Sequence, residues 1–291
     1  MGACCCPQTL IRDMAVQLPT SPSSNRYIHK DYLSEGGHGK VYKVYDDYAK
    51  CFVSCKETSQ SKKNRAQREA NILKQFNSPI LPTFIDIQFK DEVNCLYYIF
   101  IPGSDLFTYL FENNKSLNTQ YIKVLIKKML NCLDELRKYN FIHLDIKFEN
   151  FVFTESTNTL TLIDFEGAHL YPNDNEFKPL KTYVGTRAFT APETWSRLYH
   201  STSDIWSIGV CIWCIFTGER PFKVKRINRK SSCLLNQICK QLKFPQIKHI
   251  EKMKELNMDE DLTDLFHKIF QFDAKQRINL NQLQDHKWLK L

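Results

Sequence analysis

The stretch His143-Leu144-Asp145-Ile146-Lys147-Phe148-Glu149-Asn150, with the Asp164-Phe165-Glu166 triplet that follows, constrains this chain more than any other part. Between them, Phe151 to Phe153 and Thr159 to Ile163 are apolar, β-favouring runs, and Thr154 to Asn158 is turn chemistry. Antiparallel pairing of the two runs sets the start of the first beside the end of the second. That pairing predicts Asn150 and Asp164 at one edge, with Asp145 on the loop just before. An acid, an amide and a second acid on a loop rim suit a divalent cation held by oxygen. One carboxylate then remains to orient a nucleophile, and a cation plus a positioned hydroxyl is what phosphoryl transfer requires.

A second stretch fits the same chemistry. Leu33-Ser34-Glu35-Gly36-Gly37-His38-Gly39-Lys40-Val41-Tyr42 reads as a glycine-rich turn between two strands. Glycines let main-chain N–H groups approach phosphate oxygens closely. Val53-Ser54-Cys55-Lys56 follows at strand spacing, and Arg65 to Phe76 reads as a helix carrying Glu69. A lysine facing phosphates needs a carboxylate to hold its flexible stem, and Glu69 is placed to do so. From Tyr121 to Tyr139, Ile122, Leu125, Ile126, Met129, Leu133 and Leu136 keep helical spacing, so this helix buries one face and leads into the Asp145 loop.

The chain of 291 residues is long enough for two lobes, and its 43% hydrophobic and 25% charged content are ordinary for a globular protein. A net charge of +8 favours anionic partners without choosing among nucleotide, acidic surface and lipid headgroup. Eleven cysteines without framework spacing point to reduced thiols and a cytoplasmic setting rather than a disulfide scaffold. Ile205 to Phe216, the longest apolar run, is too short for a bilayer and reads as a buried helix. No signal-peptide pattern appears. In Met1-Gly2-Ala3-Cys4-Cys5-Cys6, Gly2 resembles a myristoylation acceptor and Cys4, Cys5 and Cys6 palmitoylation acceptors, although Cys6 stands where the motif usually has Ser or Thr. One acyl chain anchors weakly and two firmly, so the cluster suits peripheral attachment to a membrane's cytoplasmic face. Residues 7 to 26, with Pro7, Pro19 and Pro22, read as a linker completing a flexible segment 1–26.

Taken together, these motifs make the chain similar to the eukaryotic-type protein kinases over 27–291. The resemblance implies an α+β, two-lobed protein-kinase fold. It has a small antiparallel β lobe with one main helix (about 27–101) and a larger, mostly helical lobe (about 102–291). It implies ATP with Mg2+, or Mn2+, as cofactors. Lys56, Glu69, Asp145 and Lys147 take the catalytic roles and Asn150 and Asp164 bind metal. ATP is contacted by Leu33 through Val41 and by Lys56. Tyr97 to Pro102 then carries the hinge, with Ile99 and Ile101 main-chain groups for adenine, Tyr98 behind them and Asp105 for ribose. Ala191-Pro192-Glu193, Asp204 in Ser203-Asp204-Ile205-Trp206-Ser207-Ile208-Gly209, and Arg277 match further family elements, Arg277 as the partner of Glu193. Lys147 and Thr186 resemble the serine/threonine branch, in which the lysine meets the transferring phosphate and the threonine braces the acid. The implied partners are protein substrates, with the kinase a monomer; the alternative is a membrane-tethered pseudokinase scaffold. A small-molecule kinase is disfavoured by the Ala191-Pro192-Glu193 and Asp204 elements.

Three positions depart from the family pattern. Ser34 replaces the first loop glycine, while Gly36 and Gly39 remain. Leu144 replaces the arginine of His-Arg-Asp, which in the family helps bind a phosphate on the activation segment. Leucine cannot pair with phosphate, so the segment is expected to be ordered without modification of Thr182. Glu166 replaces the glycine of Asp-Phe-Gly, restricting backbone flips and adding negative charge that could shift metal preference or slow turnover. Cys211-Ile212-Trp213-Cys214 has metal spacing but sits in an apolar run, and reads as buried thiols. His143 reads as a core histidine bracing the loop. The basic run Lys223 to Lys230 reads as a solvated loop, with docking to an acidic partner or a membrane surface as the alternative, and no nucleic-acid-binding module is recognisable.

Overall fold

The computed structural model describes residues 26–37, 39–112, 118–223 and 234–290. They cluster into two units: the residues up to Gly103 with Thr154–Glu166, and Ser104–Phe153 with Gly167–Leu291. The division thus falls at Gly103 rather than at 101, and Thr154–Glu166, expected in the larger lobe, groups with the smaller one. Gly2, Cys4, Cys5, Cys6, His38 and most of the basic run after Lys223 lie outside the described residues.

The first unit is built on five antiparallel strands, β1 (Tyr27–Gly36), β2 (Gly39–Asp46), β3 (Cys51–Ser59), β4 (Phe84–Phe89) and β5 (Val93–Ile99), ordered β1-β2-β3-β5-β4. The β1–β2 hairpin closes with Gly36 opposite Gly39. Gly39 has φ 137°, and a Cβ there would sit 2.1 Å from the Glu57 carbonyl oxygen, so only glycine fits beside β3. Side chains alternate across a strand. Val53, Cys55, Cys95, Tyr97 and Ile99 therefore share one buried face, where Tyr27 stacks on Tyr97 at 3.7 Å between centroids. Lys56, between Cys55 and Glu57, belongs to the other face.

Helix α1 (Lys63–Leu73) buries Ala66, Glu69, Ala70 and Leu73, a helical stripe with one charge in it. Small alanines let the helix lie close to the sheet, and the buried carboxylate must find a cation. The helix stops short of the expected Phe76: Gln75 and Phe76 turn back to the carbonyls of Ile72 and Leu73.

In the second unit, α2 (Thr119–Lys138) starts at Asn118, whose side chain accepts from the Tyr121 amide at 2.8 Å. Ile122, Leu125, Ile126, Met129, Leu133 and Leu136 are all buried, as their spacing predicts. Each contributes about 1.5–3 kcal/mol when withdrawn from water. Helix α3 (Ser203–Thr217) is buried from Ser203 to Cys214 and ends at Gly218, φ 70°. Cys211 and Cys214 are buried within it. Helices α4 (Leu234–Leu242), α5 (Ile247–Glu255) and α6 (Glu260–Ile269) follow. Among the described residues, no helix is long and apolar enough to cross a membrane.

Candidate active site

In the first unit the cation sought by Glu69 is Lys56. Its Nζ lies 2.8 and 3.0 Å from the two Glu69 oxygens and 2.7 Å from Asp164 Oδ1. Lys56 and Glu69 are both buried. Burial opposes the lysine's charge, but Asp164 and Glu69 outweigh it, and the Lys56 pKa is raised. The ammonium thus stays charged at any physiological pH and is held by three oxygens, which fixes a flexible side chain in one place.

Asp164 sits at φ 65°, a left-handed conformation that aspartate, like asparagine, adopts more readily than most side chains. The next residue locks that turn: Phe165 N–H donates to Glu69 Oε1 at 3.2 Å, and the Phe165 ring packs edge-on against Phe76 at 4.9 Å. Glu166 is then held from α1. Arg68 donates to its main-chain carbonyl, and Arg65 Nη1 lies 3.2 Å from its Oε1. Its added negative charge is therefore partnered within this unit.

The Asp145 loop in the second unit is anchored from below by Asp204, whose two oxygens accept the main-chain N–H groups of His143 and Leu144, each at 2.8 Å. His143 is fully buried and accepts the Asp145 N–H at Nδ1, a bracing role. Asp145 Oδ1 accepts the Thr186 main-chain N–H at 2.7 Å; its Oδ2 lies 3.3 Å from Lys147 Nζ. Lys147 also donates to the Thr186 hydroxyl at 3.2 Å. Threonine 186 thus braces Asp145 by its backbone and Lys147 by its side chain. The Asn150 amide nitrogen donates to the Asp145 main-chain carbonyl at 2.7 Å and to Asp145 Oδ2 at 3.3 Å.

Leu144, in place of the family arginine, is buried in an apolar cluster with Ile142, Leu180 and Tyr199, against which Val184 packs. Here the segment carrying Thr182 is held to the Asp145 loop by apolar contact, while Thr182 itself is exposed. Gly185 (φ 86°) makes the approach possible, since a Cβ there would lie 2.4 Å from the Leu144 carbonyl oxygen. Glu193 and Arg277 form a buried bidentate pair at 2.8 and 3.0 Å, and Ser203 donates to the same carboxylate.

The remaining predicted residues are less enclosed. Leu33, Ser34, Glu35, Gly36 and Gly37 are exposed on the β1–β2 hairpin, as is Lys40, with Val41 paired to Lys56. Lys62 Nζ donates to the Gly37 carbonyl at 2.8 Å, a tether absent from the sequence reading. The Ile99 N–H is committed to the Thr83 carbonyl at 3.0 Å, so only its carbonyl suits a ligand. Asp105 caps the next turn, accepting from the Phe107 and Thr108 amides and the Thr108 hydroxyl. Its assigned ribose contact must share the carboxylate with that cap. Arg65 and Arg68 also escaped sequence reasoning; the one available signal was two arginines flanking Glu69 on one helix, Arg65 a turn before it and Arg68 next to it, with an unexplained glutamate elsewhere in the unit.

A family model described as protein kinase domain matches residues 27–289. The chain is 30% identical over 269 residues to calcium-dependent protein kinase 3 of Plasmodium berghei (strain Anka), covering 90% of this chain and 46% of that protein. It is 26% identical over 285 residues to the cell cycle serine/threonine-protein kinase CDC5/MSD2 of Saccharomyces cerevisiae, covering 93% and 38% respectively. A human SNF-related serine/threonine-protein kinase is 28% identical over 193 residues, 65% of this chain and 23% of the relative. The chain spans less than half the length of these relatives.

Proposed function

Since the chain belongs to the protein kinase family, with that family's two-lobed α+β fold, we propose that it transfers the terminal phosphate of ATP to serine or threonine hydroxyls of protein substrates. The observation that carries this reading is Lys56, buried and held by Glu69 and Asp164 within 3.0 Å. A lysine fixed in this way on the strand behind the glycine-rich hairpin is preorganised to meet phosphate oxygens.

Asp164 and Asn150 each offer oxygen, the donor that a hard divalent cation takes. Magnesium or manganese, if bound, would be held by Asp164 and Asn150 and would supply positive charge against the phosphate oxygens. Lys56 presents its ammonium to phosphate oxygens, while N–H groups of the Gly36–Gly39 turn cradle them. Asp145, pinned by the Thr186 amide, orients the acceptor hydroxyl and takes its proton. Lys147 offsets charge on the group in transit. The Lys147–Thr186 hydrogen bond and the named relatives both support aliphatic hydroxyls as acceptors.

Labelled ATP with a mixed serine, threonine and tyrosine peptide pool tests the assignment. Parent protein should label serine and threonine, and Asp164→Ala or Asp145→Asn should lower the rate by about a hundredfold or more with melting little changed. Equal turnover by Asp164→Ala protein overturns it. The reading extends to Gly2 and the Cys4–Cys6 cluster as a double acyl anchor placing the kinase on a cytoplasmic membrane face. Its support is the motif, and incorporation of alkyne-tagged myristate that survives Gly2→Ala would refute it.

A further inference from the structure

The sheet face turned away from Lys56 carries three metal-ligating side chains with no part in phosphoryl transfer. Cys55 and Glu57 are two apart on β3 and share that face; Cys95 on β5 stands directly opposite Glu57. The Sγ atoms and a carboxylate oxygen all lie within 4.8 Å of one another, and Cys95 Sγ is 3.7 Å from Glu57 Oε1. Tetrahedral zinc has bonds of about 2.3 Å to sulfur and 2.0–2.2 Å to carboxylate oxygen, which set S and O about 3.5 Å apart and two sulfurs about 3.8 Å apart. We infer that Cys55, Glu57 and Cys95 form a zinc site that ties β3 to β5.

The surroundings suit a thiophilic cation. Both thiols are buried, whereas the Glu57 side chain is 18% exposed and forms the open side, where water can complete the coordination. Two thiolates and a carboxylate around Zn2+ leave one net negative charge. Lys30, 2.7 Å from Glu57 Oε1 and 3.8 Å from the Tyr42 ring centroid, balances it. Sulfur donors favour zinc over the magnesium suited to Asp164 and Asn150. A disulfide fits less well. Cys55 pairs with Tyr97 and Cys95 with Glu57, so the cysteines are diagonal neighbours. Such positions are about 7–8 Å apart, beyond usual disulfide reach. Because Lys56 lies between the two β3 ligands in sequence, metal binding stiffens the strand segment that presents it.

Reduced, chelator-treated full-length protein titrated with Co2+ tests the site. The parent should bind one equivalent with a thiolate-to-cobalt charge-transfer absorption that Zn2+ abolishes. Cys55→Ser/Cys95→Ser should lose the band, and Cys4→Ser/Cys5→Ser/Cys6→Ser should keep it. Should the double variant fail to fold, Glu57→Gln serves. It alters the partly exposed ligand and should weaken zinc by more than about tenfold, the loss seen when even an outer partner of a metal site is removed. No band in the parent, a band that survives loss of both Cys55 and Cys95, or unchanged zinc affinity in Glu57→Gln overturns the inference. An Asp164→Asn control, expected to retain the band, separates this site from the catalytic one.

Discussion

Arg68 of α1 donates to the main-chain carbonyl of Glu166, so the helix that supplies Glu69 also grips the residue two beyond Asp164. Where the family has a flexible glycine, this chain has a residue tied by backbone through Arg68 and by side chain through Arg65. Glu166→Gly should loosen the turn. The expected result is a three- to tenfold fall in kcat, about 0.7–1.4 kcal/mol in barrier, with faster hydrogen exchange at the Phe165 amide that bonds Glu69. Arg68→Ala should do the same. Unchanged exchange in both variants would show that the tether restrains nothing.

Leu144 replaces a charged clasp with an apolar one. Thr182→Ala should keep activity within about twofold, since Thr182 is exposed and a surface change of this kind is normally small. Leu144→Ala opens a hole in the Ile142–Leu180–Tyr199 cluster and should cost about 2–5 kcal/mol by urea unfolding. A kinase silenced by Thr182→Ala would contradict the apolar account.

The Glu193–Arg277 pair dominates its surroundings by burial. Burial pushes the Glu193 carboxyl up, but the Arg277 charge and hydrogen bonds outweigh it, and the folded pKa is lowered. That lowered value adds stability at pH above the unfolded glutamate range, about 4.3, and the contribution disappears as pH falls through the folded value. Arg277→Met should cost about 3–5 kcal/mol at neutral pH, because it strands a buried carboxylate. The loss should shrink in acid, and a pH-independent loss would count against it.

His249 is held neutral. Its Nε2–H donates to the Pro221 carbonyl at 2.6 Å and its Nδ1 accepts the Gln246 N–H at 2.8 Å, so a second ring proton would face a donor. Burial drives its pKa down to about 4. The unfolded chain binds a proton near pH 6.5 and the folded one does not, so stability is full above that value and declines towards pH 4. Urea unfolding between pH 7.5 and 4.5 should show a shallower decline for His249→Gln, which keeps an acceptor but cannot protonate. Parallel curves would exclude His249 as the titrating group.

Much of the site was readable because its motifs are local. Asp145, Lys147 and Asn150 lie within one loop, and Asp164 follows a short hairpin; the glycines crowd one turn. Glu69 could be matched to Lys56 because a lysine facing phosphates needs a carboxylate and the next helix carries one. The buried stripe of α2 was equally plain from its period. The end of α1 was misjudged because apolar residues after Leu73 pack from a turn as well as from a helix.

Other features depend on residues that chain order keeps apart. Nothing near Glu166 in sequence names Arg65 and Arg68, and nothing near Leu144 shows that Leu180 and Tyr199 would enclose it. Only strand register puts Glu57 opposite Cys95 and leaves Cys55 on the diagonal. Residue type and short-range spacing pointed to phosphoryl transfer. Which charges are neutralised, and which segments are clamped, depended on long-range packing, because burial and partnership arise only when distant segments close on one another.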